Sequence, residues 1–225
     1  MITPLPPRPI DAQLNSEIPT AEPLPLRSEL TQSFGSKNIL LTNIKVTGSP
    51  DQLAVNPLAN MVYVTQECPN ILSAINGTTN EITENINLGY SSPEDIAVNP
   101  VTNMVYVATE FSSCDEEDTP ATLGFNETYF NVINVIDGNT NKLVANLTLD
   151  PSVGVQDIAV NPVTNRIYLA EVLTHEETEE ESYRIAVIDG YTDQRLYDIA
   201  VQQFSGQISV DSKRNLLYVP FNSED

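Results

Sequence analysis

Leu53-Ala54-Val55-Asn56-Pro57-Leu58-Ala59-Asn60-Met61-Val62-Tyr63-Val64 is the stretch that decides the fold. Two short runs rich in β-branched and aromatic residues flank a turn made of Asn, Pro and a closing Asn. The unit returns as Ile-Ala-Val-Asn-Pro-Val-Thr-Asn-Met-Val-Tyr-Val at 96–107 and as Ile-Ala-Val-Asn-Pro-Val-Thr-Asn-Arg-Ile-Tyr-Leu at 158–169. A worn fourth copy, Ile-Ser-Val-Asp-Ser-Lys-Arg-Asn-Leu-Leu-Tyr-Val, occupies 208–219. Self-similarity of this kind is the signature of a repeat architecture.

A second unit follows each of the first three copies: Leu72-Ser-Ala-Ile-Asn-Gly-Thr-Thr-Asn80, Ile133-Asn-Val-Ile-Asp-Gly-Asn-Thr-Asn141 and Ile185-Ala-Val-Ile-Asp-Gly-Tyr-Thr-Asp193. A third, shorter unit appears as Asn85–Leu88, Asn146–Leu149 and Asp198–Val201, with an early copy at Asn43–Val46. Each repeat therefore reads as four antiparallel strands. In the first turn the leading Asn caps with its side chain, Pro presets φ, and the last Asn takes the left-handed conformation. In the second turn Asn-Gly or Asp-Gly is expected to supply the positive φ of a tight hairpin. The second strand, Met-Val-Tyr-Val, is apolar at nearly every position, which suits a small sheet covered on both faces, as a propeller blade is by its neighbours. No apolar period of 3.6 is visible, so a helical solenoid is excluded.

The run Ala-Val-Asn-Pro-Val-Thr-Asn-Met-Val-Tyr-Val, followed by Asn-Val-Ile-Asp-Gly-Asn-Thr-Asn, resembles the YVTN-type β-propeller repeat of surface-layer and exported proteins; the name-giving residues stand at Val62-Tyr63-Val64-Thr65. The resemblance covers residues 39–219 and implies an all-β fold, a β-propeller of four-stranded antiparallel blades. It implies no chemistry, because propellers host many unrelated functions. The strand count gives one leading strand, three full blades and two trailing strands, an incomplete ring. Ile39–Val46 is expected to pair with the strands around Ile208 and Val219. Two origins stay open: a piece of a longer chain, or a ring closed by self-association with a second copy.

Residues 1–37 hold seven of the 16 prolines and no apolar period, and read as a disordered Pro-rich tail or linker ahead of a partial propeller at 38–225. The chain of 225 residues is 40% hydrophobic, enough for a core, and carries a net charge of −21. That acidity argues against a nucleic-acid partner and against docking on anionic lipid. There is no apolar run long enough for membrane insertion, and the Met1-Ile-Thr-Pro start has no signal-peptide h-region.

The acids are focused. Glu110, Asp115, Glu116, Glu117, Asp118 and Glu127 lie in the connection from Ala108 to Val132, and Glu171, Glu176, Glu177, Glu179, Glu180 and Glu181 in that from Ala170 to Arg184. Both connections leave the second strand of a repeat and share a rim with Asp95 and Asp157. Two readings stand. Asp95, Asp157, Asp115, Glu116, Glu117, Asp118, Glu176 and Glu177 supply hard oxygen ligands for Ca²⁺, or the cluster is a solvated acidic face with no cofactor at all. Cys68 and Cys114 follow the second strand in adjacent repeats, so they form a disulfide or remain two separate thiols. Asn76, Asn126 and Asn146 open N-x-T glycosylation sequons, at a frequency chance also gives, with Asn126 the most accessible in its long loop. His175, the single histidine, begins His-Glu-Glu-Thr-Glu, which lacks the second histidine of a zinc-protease motif. No nucleophile–base set can be assembled, and no catalytic residue is assigned.

These features point to a non-enzymatic, extracellular or cell-surface interaction module that binds a protein or a cell-surface glycan through its acidic rim. The rival is a fragment of a lactonase- or lyase-like propeller enzyme with a divalent metal at the channel mouth.

Overall fold

The computed structural model describes residues 42–89, 91–111, 131–150, 152–175 and 180–221, and nearly all of these belong to one compact unit, Lys45–Asp225. Among the described residues there is no helix. Three four-stranded antiparallel sheets follow one another along the chain, each in simple up-and-down order. The first comprises β1 (Ser49–Asn56), β2 (Met61–Glu67), β3 (Ile71–Asn76) and β4 (Glu81–Asn87). The second comprises β5 (Ser91–Asn99), β6 (Met104–Phe111), β7 (Val132–Asp137) and β8 (Lys142–Thr148). The third comprises β9 (Val153–Asn161), β10 (Arg166–His175), β11 (Glu180–Asp189) and β12 (Gln194–Val201), and a two-stranded sheet follows, β13 (Ser209–Asp211) with β14 (Leu216–Tyr218).

The expected leading strand is absent among the described residues. Asn43–Val46 lies outside any strand, and β13–β14 has no third strand among the described residues. Just beyond Val46, the Gln66 side chain takes the backbone donors: its Oε1 accepts from the N–H groups of Thr47 (2.9 Å) and Gly48 (2.8 Å). Donors held by a side chain are withdrawn from a ladder.

Successive sheets stack through their first strands, β1 against β5, β5 against β9, and β9 against β13. Each join buries one apolar layer. Tyr63, Leu72 and Ile86 of the first sheet meet Ile96, Val105 and Val107 of the second. Tyr106, Ile133 and Val135 meet Ile158, Ile167 and Leu169. The recurring tyrosine reports how well each sheet is covered. Tyr63 and Tyr106 are fully buried, Tyr168 is half-buried, and Tyr218 is 52% exposed. The irregularities also repeat: every third–fourth strand pair shifts register at the same place, Ala74/Ile75, Val135/Ile136 and Val187/Ile188. A bulge recurring at one repeat position is a built feature that sets the local twist.

Candidate functional site

The turn end of the sheets is built for joining them. Asn99 accepts the N–H groups of Val101 (3.0 Å) and Thr102 (3.3 Å) on Oδ1, which leaves its amide free to donate to Asn165 Oδ1 of the next sheet at 2.6 Å. Asn56 does the same toward Asn103 (2.6 Å) and Asn161 toward Asn215 (2.9 Å). The receiving Asn103, Asn165 and Asn215, and Asn60 at the same repeat position, all have φ between 50° and 55°, as the sequence led one to expect. The expectation for the second turn is corrected. Gly77, Gly138 and Gly190 do not have positive φ; that conformation falls on Asn80, Asn141 and Asp193. The glycines answer a different need. A Cβ on Gly138 would stand 2.5 Å from Asn103 Oδ1, and one on Gly190 would stand 2.6 Å from Asn165 Oδ1.

The opposite, loop end carries the candidate site. Asp95 in β5 and Asp157 in β9 are brought together and buried, and their carboxyl groups hydrogen-bond each other. Asp95 Oδ2 also accepts from the N–H of Ile158 at 2.8 Å, and Asp157 accepts from the N–H of Ile208. Burial and the neighbouring Asp157 push the Asp95 carboxyl up to about 8, against the pull of two backbone donors. Like charges this close cannot both ionise, so the pair holds a proton at neutral pH. Beside it, burial raises the Glu94 carboxyl, followed by the charges of Glu110, Glu67 and Asp51. These four carboxylates come from the first two sheets and form an acidic patch at the loop end.

Six of the proposed calcium ligands, Asp115, Glu116, Glu117, Asp118, Glu176 and Glu177, lie outside the described residues. Among the described residues no group of three or more His, Cys, Asp or Glu is arranged to hold a metal ion. Cys68 is disulfide-bonded, and Cys114 lies outside the described residues. Asn126 does too. Asn146 is exposed on β8, whereas Asn76 caps the second turn, its Oδ1 accepting from Thr78 at 2.8 Å.

The connection after Ala170 is corrected most. It is no loop but an extended hairpin, with Glu171 opposite Arg184 and His175 opposite Glu180. The signal missed was the run Val172-Leu173-Thr174 facing Glu181-Ser182-Tyr183. His175 is accordingly at the end of a strand, its Nε2 3.0 Å from Ser182 Oγ. Glu171, counted with the rim acids, is instead fully buried, accepting from Arg184 Nε (2.6 Å) and from two Arg195 nitrogens (2.7 and 3.0 Å). Its charge is neutralised inside the sheet and does not contribute to the rim. The same repeat position holds buried Gln66 and Thr109, each bonded to its neighbouring strand.

No protein-family model matches the chain, and no curated protein is detectably similar to it. No helix among the described residues is long and apolar enough to cross a membrane.

Proposed function

We propose that the sheets are blades of an incomplete β-propeller, and that the chain is a non-enzymatic, exported or cell-surface binding module that meets its partner through the acidic loop end. The propeller reading is supported by the stacking of β1, β5, β9 and β13 and by the Asn relay that crosses each join at one repeat position. The incomplete ring is supported by the end sheets: Leu53 is 59% exposed, whereas its counterparts Ile96 and Ile158 are buried. The observation that carries the binding reading is the gathering of Asp51, Glu67, Glu94 and Glu110 at one end of two adjacent sheets, close enough for Glu94 to feel the other three. Such a patch attracts cationic protein surfaces and rejects anionic ones.

The test uses poly-L-lysine as the cationic probe, titrated calorimetrically at low and physiological salt. The double variant Glu67→Gln/Glu110→Gln is expected to lose much more affinity than the equally neutralised Glu81→Gln/Glu84→Gln, with a shallower salt dependence. Equal losses in the two variants would show that the −21 charge acts as a whole and would overturn the localised site.

A further inference from the structure

We propose that the cleft between the third sheet and the segment 203–207 leading into β13 is a binding site for a neutral saccharide, separate from the acidic patch. The cleft has a volume of about 440 Å³, room for one or two sugar rings. Its apolar side is made by Val172 and Phe204, the latter packed edge-on against Tyr183 with ring centroids 5.5 Å apart and an interplanar angle of 82°. That contact fixes the aromatic wall before any ligand arrives. Three residues with primary amides, Gln156, Gln203 and Gln207, also line the cleft.

The chemistry of the lining selects the ligand class. Among the described residues it holds no Lys, Arg or His, so nothing there compensates a phosphate, sulfate or carboxylate. The one carboxylate among its described residues, Glu181, already accepts from the Tyr183 hydroxyl, and one carboxylate is too few for a calcium site. Gln156 and Gln207 each offer a carbonyl acceptor and two N–H donors side by side, whereas the Gln203 side chain also hydrogen-bonds Tyr183. Hydroxyl groups on adjacent ring carbons both donate and accept, and match that pairing. The C–H face of a pyranose fits the Phe204–Val172 wall. Amide side chains lining a cleft that has an aromatic wall are therefore matched best by an uncharged polyol ring.

The test is saturation-transfer NMR on the full chain with cellobiose, maltose, lactose and diacetylchitobiose, each at millimolar concentration, and trialanine alongside. At least one disaccharide is expected to receive saturation and to bind about tenfold more weakly to the Gln156→Ala/Gln207→Ala variant. Both glutamines are exposed, so the variant retains the core; an unchanged far-UV spectrum and melting temperature verify this. No transfer to any of the four sugars, or transfer undiminished in the variant, would overturn the proposal. Transfer to trialanine alone would overturn it too and assign the cleft to a polypeptide. The poly-lysine titration on the same sample reads the acidic patch independently, so either reading can fail while the other stands.

Discussion

The carboxyl groups of Asp95 and Asp157 hydrogen-bond each other across the join between the second and third sheets, while Asp95 also accepts from the N–H of Ile158 in β9 and Asp157 from that of Ile208, just before β13. Two acids thereby clamp three consecutive sheets. Gln52 and Gln207 occupy the same repeat position at the two ends of the series, so the acid pair is confined to the inner joins.

The clamp makes stability depend on pH. Unfolded, Asp95 titrates near its ordinary 3.8; folded, it is held up to about 8. The folded state then binds one more proton than the unfolded state between these values. The contribution is fully present below about pH 4, declines as pH rises and is lost above about pH 8, with a slope of at most about 1.4 kcal/mol per pH unit. Asp95→Asn supplies a neutral group that still donates to Asp157 and accepts from Ile158. Its chemical-denaturation stability is expected to lose this slope between pH 5 and 8, to be measured beside the wild type. Equal slopes in both proteins would remove the shared proton from the account.

The Asn relay can be separated from the turn it grows out of. Asn99→Asp keeps the acceptor for Val101 and Thr102 but replaces the donor to Asn165 with a buried carboxylate oxygen. A loss of about 2 kcal/mol or more is expected in urea unfolding. In the fourth copy an aspartate, Asp211, already caps the equivalent turn through Lys213 and Arg214, which shows that the turn itself accepts the change.

Glycine roles differ along one chain. Gly138→Ala must push a Cβ into Asn103 Oδ1 at 2.5 Å and the Tyr63 hydroxyl at 2.8 Å, and is expected to cost about 1–3 kcal/mol. Gly154→Ala meets only a carbonyl oxygen at 4.0 Å and is expected to be neutral or slightly stabilising. Melting temperatures of the two variants, measured together, check the contrast.

Cys68 is disulfide-bonded, and the chain has two cysteines. Thiol titration of the unreduced, denatured monomer is expected to find no free thiol, and two thiols after reduction. Finding two before reduction would contradict the bond and weaken the case for an oxidising compartment.

The strands, the repeat and the left-handed asparagines were legible in the sequence because they rest on local physics. A β-branched run favours extended backbone wherever it lies, and an Asn-Pro-x-x-Asn turn satisfies its own amides through the side chain of its first residue. The wrong reasons and the missed elements have the opposite origin. Gly138 resembles an ordinary hairpin glycine until the Asn103 side chain is seen to fill its space. The acids at 171 and 176–181 form one run in the sequence, yet the pairing of β10 with β11 turns Glu171 inward between Arg184 and Arg195. Asp95 and Asp157 were placed on one rim by repeat arithmetic. Their contact, their burial and the proton between them required the packing of β5 on β9, because desolvation and carboxyl–carboxyl repulsion arise only when two sheets exclude water from the same few ångströms.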